Sequence, residues 1–210
     1  RLHTRGTQAF ARARVELMPP FDRKLYAWEH DYFIDHFLVG HLGLKPADLA
    51  PLRRDLAAIA QRLLRHPRVL IHRDLQSSNI FFRGGEAVLI DFQGMRWGSA
   101  AYDLASWLAD PYTQLDTEFQ RELLAEYRKL RPGVVLSEED YGSAVVQRLA
   151  QALGAYAKLG AQPATADFIR HIPAALLQMR RAVERLPGLP ALRRGLDEWI
   201  TLPLARKPSQ

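Results

Sequence analysis

Apolar residues recur every three to four positions through most of the chain, and this recurrence predicts helices. Leu25, Trp28, Tyr32, Phe33 and Phe37 mark one face of a helix over 22–38, with Asp22 placed as its N-cap after Pro19 and Pro20. Leu52, Leu56, Ile59 and Leu63 mark a second, which Pro67 ends. The same spacing returns at Leu115, Phe119, Leu123 and Tyr127, and again at Leu149, Leu153 and Tyr156. Pro173 opens a further helix carrying Leu176, Leu177 and Val183, closed by Pro187 and Gly188, and a short last helix runs from Pro190 to Trp199. The period changes only between residues 69 and 90. Val69-Leu70-Ile71, Ile80-Phe81-Phe82 and Ala87-Val88-Leu89-Ile90 are short apolar runs, the last two joined by Arg83-Gly84-Gly85-Glu86. Paired glycines supply the positive φ that a tight hairpin needs. The fold class is α+β and mainly α-helical. No repeat, low-complexity tract or Gly/Ser linker divides the chain, so one domain is expected.

Composition narrows the function classes. Of 210 residues, 48% are hydrophobic and 25% charged, the balance of an ordinary globular domain, and no stretch runs uncharged for the roughly 18 residues a membrane helix requires. Cysteine is absent, which excludes disulfides, thiolate zinc sites and cysteine nucleophiles and fits a reducing compartment; the cytoplasm is the expected location. Residues 1–140 hold 19 Lys+Arg and 19 Asp+Glu, whereas 141–210 hold 10 against 4, so the whole net +6 is C-terminal. Those basic residues are spaced along amphipathic segments rather than interleaved with aromatics, the pattern of solvated helix faces rather than of a nucleic-acid site. No charged-then-apolar leader precedes the first helix, and a chain opening at Arg1 reads as part of a longer one.

The β-rich patch holds the polar residues that scaffolding explains least. His72, Arg73 and Asp74 follow the first strand, Asn79 opens the second, and Asp91 closes the third. With a two-residue turn at Gly84-Gly85, Asn79 falls opposite Ile90; with a three-residue turn it falls opposite Asp91. Either way an amide oxygen and a carboxylate meet at one end of a hairpin whose strands lie about 4.8 Å apart. Hard oxygen ligands of this kind suit Mg²⁺, which takes one or two protein carboxylates beside substrate phosphates. A carboxylate directly after four apolar residues is costly to bury unpaired, so a cation is expected at Asp91. Arg73 or Arg96 could equally supply that charge, Asn79 could cap a turn, and His72 could be a packed core residue.

The order of these residues resembles a known family. His72-Arg73-Asp74-Leu75-Gln76-Ser77-Ser78-Asn79 resembles the catalytic loop of protein kinases and of the aminoglycoside phosphotransferase/choline kinase group, and Ile90-Asp91-Phe92 resembles their metal-binding motif. Gly98-Ser99-Ala100-Ala101-Tyr102-Asp103-Leu104-Ala105 is similar to the Gly-x(4)-Asp-Leu-Ala segment of the small-molecule group. No Ala-Pro-Glu segment follows, and only twelve residues separate Asp91 from Asp103, which argues against a protein kinase. The likeness extends upstream through Leu17-Met18-Pro19-Pro20-Phe21-Asp22-Arg23. Within the family, that entry, Arg73 and Asp91-Phe92-Gln93 look most like bacterial sugar kinases that phosphorylate the anomeric hydroxyl of N-acetylmuramate or N-acetylglucosamine. Gln76 departs from the His often found there.

What the resemblance implies is the C-terminal lobe of a kinase-like fold, using ATP and Mg²⁺ to phosphorylate a hydroxyl of a small molecule. It makes Asp74 the catalytic base, Asn79 and Asp91 the metal ligands, and His72, Arg73 and Asp103 supports of the loop. For the acceptor, Trp97, Tyr102, Trp107 and Tyr112 offer faces that can stack on a sugar ring, with core packing the alternative for each, and Asp110 could bind a sugar hydroxyl or simply face solvent at a helix end. No glycine-rich phosphate loop or strand-borne lysine occurs, so an N-terminal lobe of the same protein is the expected partner. The implied division is a hinge or linker over 1–20, the lobe over 21–205 and a frayed tail over 206–210, with weak activity in this chain alone. An aminoglycoside, choline-like or homoserine acceptor, and a non-catalytic binding module, are the alternatives.

Overall fold

A computed structural model describes residues 1–202; the expected tail at 206–210 lies outside the described residues. Helix α1 (Thr7–Ala13) continues a wide π turn over Leu2–Gly6. Helix α2 (Arg23–Phe33) runs on through a π-type segment, Ile34–His41, and α3 covers Ala50–Leu63. Strands β1 (Arg68–Ile71), β2 (Ile80–Arg83), β3 (Glu86–Leu89) and β4 (Arg96–Ser99) come next, followed by α4 (Ala100–Leu108), α5 (Thr117–Leu130) and α6 (Glu138–Gly160). A 3₁₀ segment, Pro163–His171, leads into α7 (Ile172–Val183), and α8 is Pro190–Trp199. The result is mostly helical with two small antiparallel sheets, β1–β4 and β2–β3. Among the described residues no helix is long and apolar enough to cross a membrane.

Helix starts follow side-chain chemistry. The Asp22 carboxylate accepts the Leu25 N–H at 2.8 Å, capping α2 as expected. Ser137 and Asp140 form a reciprocal capping box at the start of α6. Helix α6 is buried on nearly every face because α2, α3, α4 and α7 all pack around it, which is how a helix apolar around its whole circumference is stabilised. The core therefore lies around α6, and the two sheets sit at one side of it.

Several elements differ from the sequence reading. The buried face of α2 carries Tyr26, Glu29, His30 and Phe33, while Trp28 is half exposed; the face is rotated because Glu29 and His30 find buried partners. Strand β4 was not expected, since Arg96-Trp97-Gly98-Ser99 neither alternates nor forms an apolar run; it pairs with β1 in the register Arg68↔Ser99 to Ile71↔Arg96. Gly98 is required there, because a Cβ would lie 2.7 Å from Ile71 Cδ1. Within residues 1–20, expected to be a hinge or linker, the first turns are fastened to the body: Thr7 Oγ1 accepts the Leu70 N–H at 2.9 Å and His3 is buried. Phe21 N–H donates to the Trp97 carbonyl at 2.9 Å, which fastens the end of this segment to β4.

Candidate active site

The hairpin closes with two residues. Arg83 pairs with Glu86 across Gly84 and Gly85, whose φ values are 58° and 80°, a type I′ geometry. Of the two registers the sequence allows, Asn79 therefore lies opposite Ile90, whose N–H donates to the Asn79 carbonyl at 3.1 Å. Asp91 follows at once in the left-handed region with φ 60°, a conformation that Asp tolerates better than most residues.

Leaving β1, the chain turns through Arg73 at φ 77°, a costly conformation for a residue with a Cβ. Asp103, fully buried in the first turn of α4, offsets that cost. Its Oδ2 accepts the His72 N–H and its Oδ1 the Arg73 N–H, each at 2.8 Å. His3 Nε2 reaches Oδ2 at 2.9 Å and, because a carboxylate only accepts, this nitrogen donates; Nδ1 lies 3.0 Å from the Tyr127 hydroxyl. His72 is buried, and its Nε2–H donates to the Ile90 carbonyl at 2.9 Å, tying the loop to the residue before Asp91. Asn79 Nδ2 donates to the Asp74 carbonyl at 2.8 Å. Loop and hairpin end are thus one hydrogen-bonded unit.

The Asp74 carboxylate meets two guanidinium groups. Arg73 Nη1 donates to its Oδ2 at 3.1 Å, and Arg148 Nη2 stands 3.4 Å from its Oδ1. Arg148 rises from α6 almost wholly buried, with Nε on Ser106 Oγ at 3.1 Å, Nη2 on Gln76 Oε1 at 3.2 Å and Nη1 on Gln151. Burial works against its charge, and Asp74 leads the neighbours that outweigh it, so the Arg148 pKa is raised. Gln76, the departure from the family pattern, is thereby joined to the same network.

Asp91 takes neither of the arginines that might have paired with it. Arg73 lies between Asp74 and Glu29, and Arg96 Nε donates to the Gly94 carbonyl at 3.0 Å. Asp91 is exposed, so the burial cost expected of it does not arise. Among the described residues it forms no ion pair, and the Gln93 amide donates to its Oδ1. Metal-binding groups of three or more His, Cys, Asp and Glu are absent among the described residues. Asn79, buried behind the loop, and Asp91, exposed at the hairpin end, are the two oxygen donors the sequence offered for Mg²⁺.

Asp74 and Asp91 open on one cavity of about 210 Å³, shared with Gln76, Arg148, Tyr112 and Tyr156. Burial raises the phenol pKa of both tyrosines, so they remain protonated hydrogen-bonding groups. Of the four expected aromatics only Tyr112 lines this cavity. Trp97 sits in β4 opposite Leu70, Tyr102 is wholly buried, and Trp107 faces outward from α4. Asp110 is corrected as well: it is 1% exposed, and its two oxygens accept the Ser77 and Tyr112 N–H groups at 2.7 and 2.9 Å, so it braces the loop instead of facing an acceptor. Arg148 and Glu29 escaped the sequence reading. A signal for Arg148 existed, since it is the one charged residue between Tyr141 and Ala157.

A family model described as a phosphotransferase enzyme family matches residues 5–135. An N-acetylmuramate/N-acetylglucosamine kinase of Neisseria meningitidis serogroup B is 27% identical over 201 residues, 90% of this chain and 59% of that protein. Its counterpart of the same name from Pseudomonas aeruginosa is 26% identical over 186 residues, 84% of this chain and 55% of that protein. A homoserine kinase of P. aeruginosa is 36% identical over 100 residues, 45% of this chain and 32% of that protein. The chain spans little more than half the length of the first two relatives.

Proposed function

The chain belongs to the phosphotransferase enzyme family, and from that premise we propose that it is the C-terminal lobe of an ATP- and Mg²⁺-dependent kinase acting on a hydroxyl of an amino sugar of the N-acetylmuramate/N-acetylglucosamine type. One observation carries the reading: Asp74, fixed by its loop, and Asp91, free of any ion pair among the described residues, open on the same 210 Å³ cavity with Asn79 bonded behind them. Asp74 accepts or orients the proton of the acceptor hydroxyl, because phosphoryl transfer asks a protein mainly to position groups and spread charge. Asn79 and Asp91 would hold Mg²⁺, which when bound offsets repulsion between nucleotide phosphates and the two carboxylates. Arg148, which lines the same cavity, pairs with Asp74 and holds it in place.

The cavity supports a sugar over an aminoglycoside. Among the described residues its carboxylates are Asp74 and Asp91, both engaged in the chemistry, so none is left for the ammonium groups of an aminoglycoside. Tyr112 and Tyr156 offer faces and hydroxyls suited to a pyranose. Support for a covering N-terminal lobe comes from the hairpin and the turn after it, where Phe81, Phe82 and Phe92 are more than half exposed, an apolar surface that a folded protein seldom leaves open. ATP as co-substrate makes the cytoplasm the setting of the reaction in this reading.

The test uses the full-length protein with its preceding region, ATP, Mg²⁺ and a panel of hydroxyl acceptors, following ADP release and the phosphorus spectrum of the product. An anomeric phosphate on N-acetylmuramate or N-acetylglucosamine is expected, with little turnover by residues 1–210 alone. Phosphate on homoserine would move the assignment to the alternative that the homoserine kinase match favours. Transfer to no acceptor by a folded protein would reject the kinase reading.

A further inference from the structure

Beneath the loop lies a buried carboxylate that the chemistry so far leaves without a role. Glu29, on α2, is fully buried, and its polar partners are all donors. The Tyr102 hydroxyl reaches Oε1 and Oε2 at 3.0 and 3.1 Å, Gln147 Nε2 donates to Oε2 at 3.0 Å, and Arg73 Nη2 stands 3.5 Å from Oε1. Gln147 is aimed by His30, whose Nε2–H donates to its Oε1 at 2.7 Å. Burial raises the Glu29 pKa, while Arg73, Gln147 and Tyr102 act in the opposite sense and favour the carboxylate.

Burying an acid costs several kcal/mol unless donors surround it, as they do here. One of those donors, Arg73, ties it to the loop that carries Asp74. Its Nε is buried without a partner, so the guanidinium is held only at its tips, Nη2 toward Glu29 and Nη1 on Asp74. Arg73 already lies nearer Asp74, at 3.1 Å, than Glu29, at 3.5 Å; the Glu29 charge opposes the pull of Asp74, and without it the cation moves further onto the carboxylate that must meet the acceptor hydroxyl.

We propose that Glu29 is a positioning residue: by holding Arg73 from behind, it keeps the Asp74 carboxylate oriented into the cavity. This rests on Asp74 being the base of the reaction proposed above. In the full-length protein, Glu29→Gln keeps the shape and the Tyr102 contact but removes the charge. Its kcat is expected to fall at least about tenfold while KM for nucleotide and acceptor stays within about twofold. In an Arg73→Ala background the same substitution should change kcat by less than about twofold, because the two residues act through one contact. An unchanged kcat in folded Glu29→Gln, or equal losses in both backgrounds, overturns the proposal.

A readout independent of turnover separates this idea from the kinase reading. In ¹⁵N side-chain spectra, a guanidinium held at both tips rotates slowly about its terminal bonds, so Arg73 should show resolved Nη signals that merge in Glu29→Gln. Averaged Arg73 signals in the unmodified protein would refute the clamp even if turnover is high. Resolved signals in a protein that phosphorylates nothing would retain the clamp and sink the reaction. If Glu29→Gln fails to fold, Tyr102→Phe, which removes one donor and leaves the charge, should lower kcat about threefold without moving KM; no change there counts against the proposal.

Discussion

Asp74→Asn is expected to lower kcat by about 10²- to 10⁴-fold, the range a positioned general base contributes. The substitution keeps volume and one acceptor oxygen but removes the charge that receives or orients the acceptor proton. Affinity for nucleotide should stay near that of the unmodified protein, because the groups assigned to the metal, Asn79 and Asp91, are untouched. The fold should survive at a cost of about 1–3 kcal/mol. Arg148 loses an anion at 3.4 Å yet keeps its contacts to Ser106, Gln76 and Gln151. Steady-state kinetics by ADP release, with circular dichroism of the same sample, checks both halves. A folded variant retaining more than about a tenth of kcat would mean that another group takes the proton.

Asp103→Ala should produce the largest loss of stability. One buried side chain accepts the His72 and Arg73 N–H groups and the His3 imidazole, and its removal strands all three donors inside the protein. At about 1–3 kcal/mol for each stranded buried donor, partly relieved by water entering the gap, the total is about 3–5 kcal/mol. For a domain of this size that corresponds to a fall of about 6–20 °C in Tm. Asp103→Asn retains one acceptor oxygen and should lose less. Activity should fall with stability, since Arg73 at φ 77° is no longer held. Thermal denaturation decides it: a shift under about 2 °C would show that the loop is braced elsewhere.

The sequence was informative where chemistry is local. Asp22 capped α2, Gly84 and Gly85 closed the hairpin, and Asn79 bonds back to the Asp74 carbonyl, because each depends on neighbours a few positions away; the hairpin then carries Ile90 back to His72. Positions set by distant partners were harder to read. Glu29 and His30 occupy a buried helix face that polarity alone would turn to water; their partners, Tyr102 and Gln147, lie more than 70 residues on. Strand β4 is a strand only because β1 is beside it. Asp110 follows α4, where solvent or an acceptor seemed its natural partner, and only the path of the loop at Ser77 shows why it is buried. Residues 2–13 carry few apolar positions, yet His3 and Thr7 reach across to Asp103 and β1.

Asp91 offers a clean handle on the whole scheme, because it is exposed and free of ion pairs among the described residues, so replacing it should leave the fold intact. The decisive measurement is a titration of the full-length protein with Mn²⁺ and ATP, read by water-proton relaxation, for the unmodified protein and for Asp91→Asn. Asn79, Asp91 and Asp74 forming one phosphoryl-transfer centre requires tight ternary binding that weakens at least about tenfold in the variant at unchanged Tm. Equal Mn²⁺ binding in both proteins would place the metal elsewhere and remove the basis for the site.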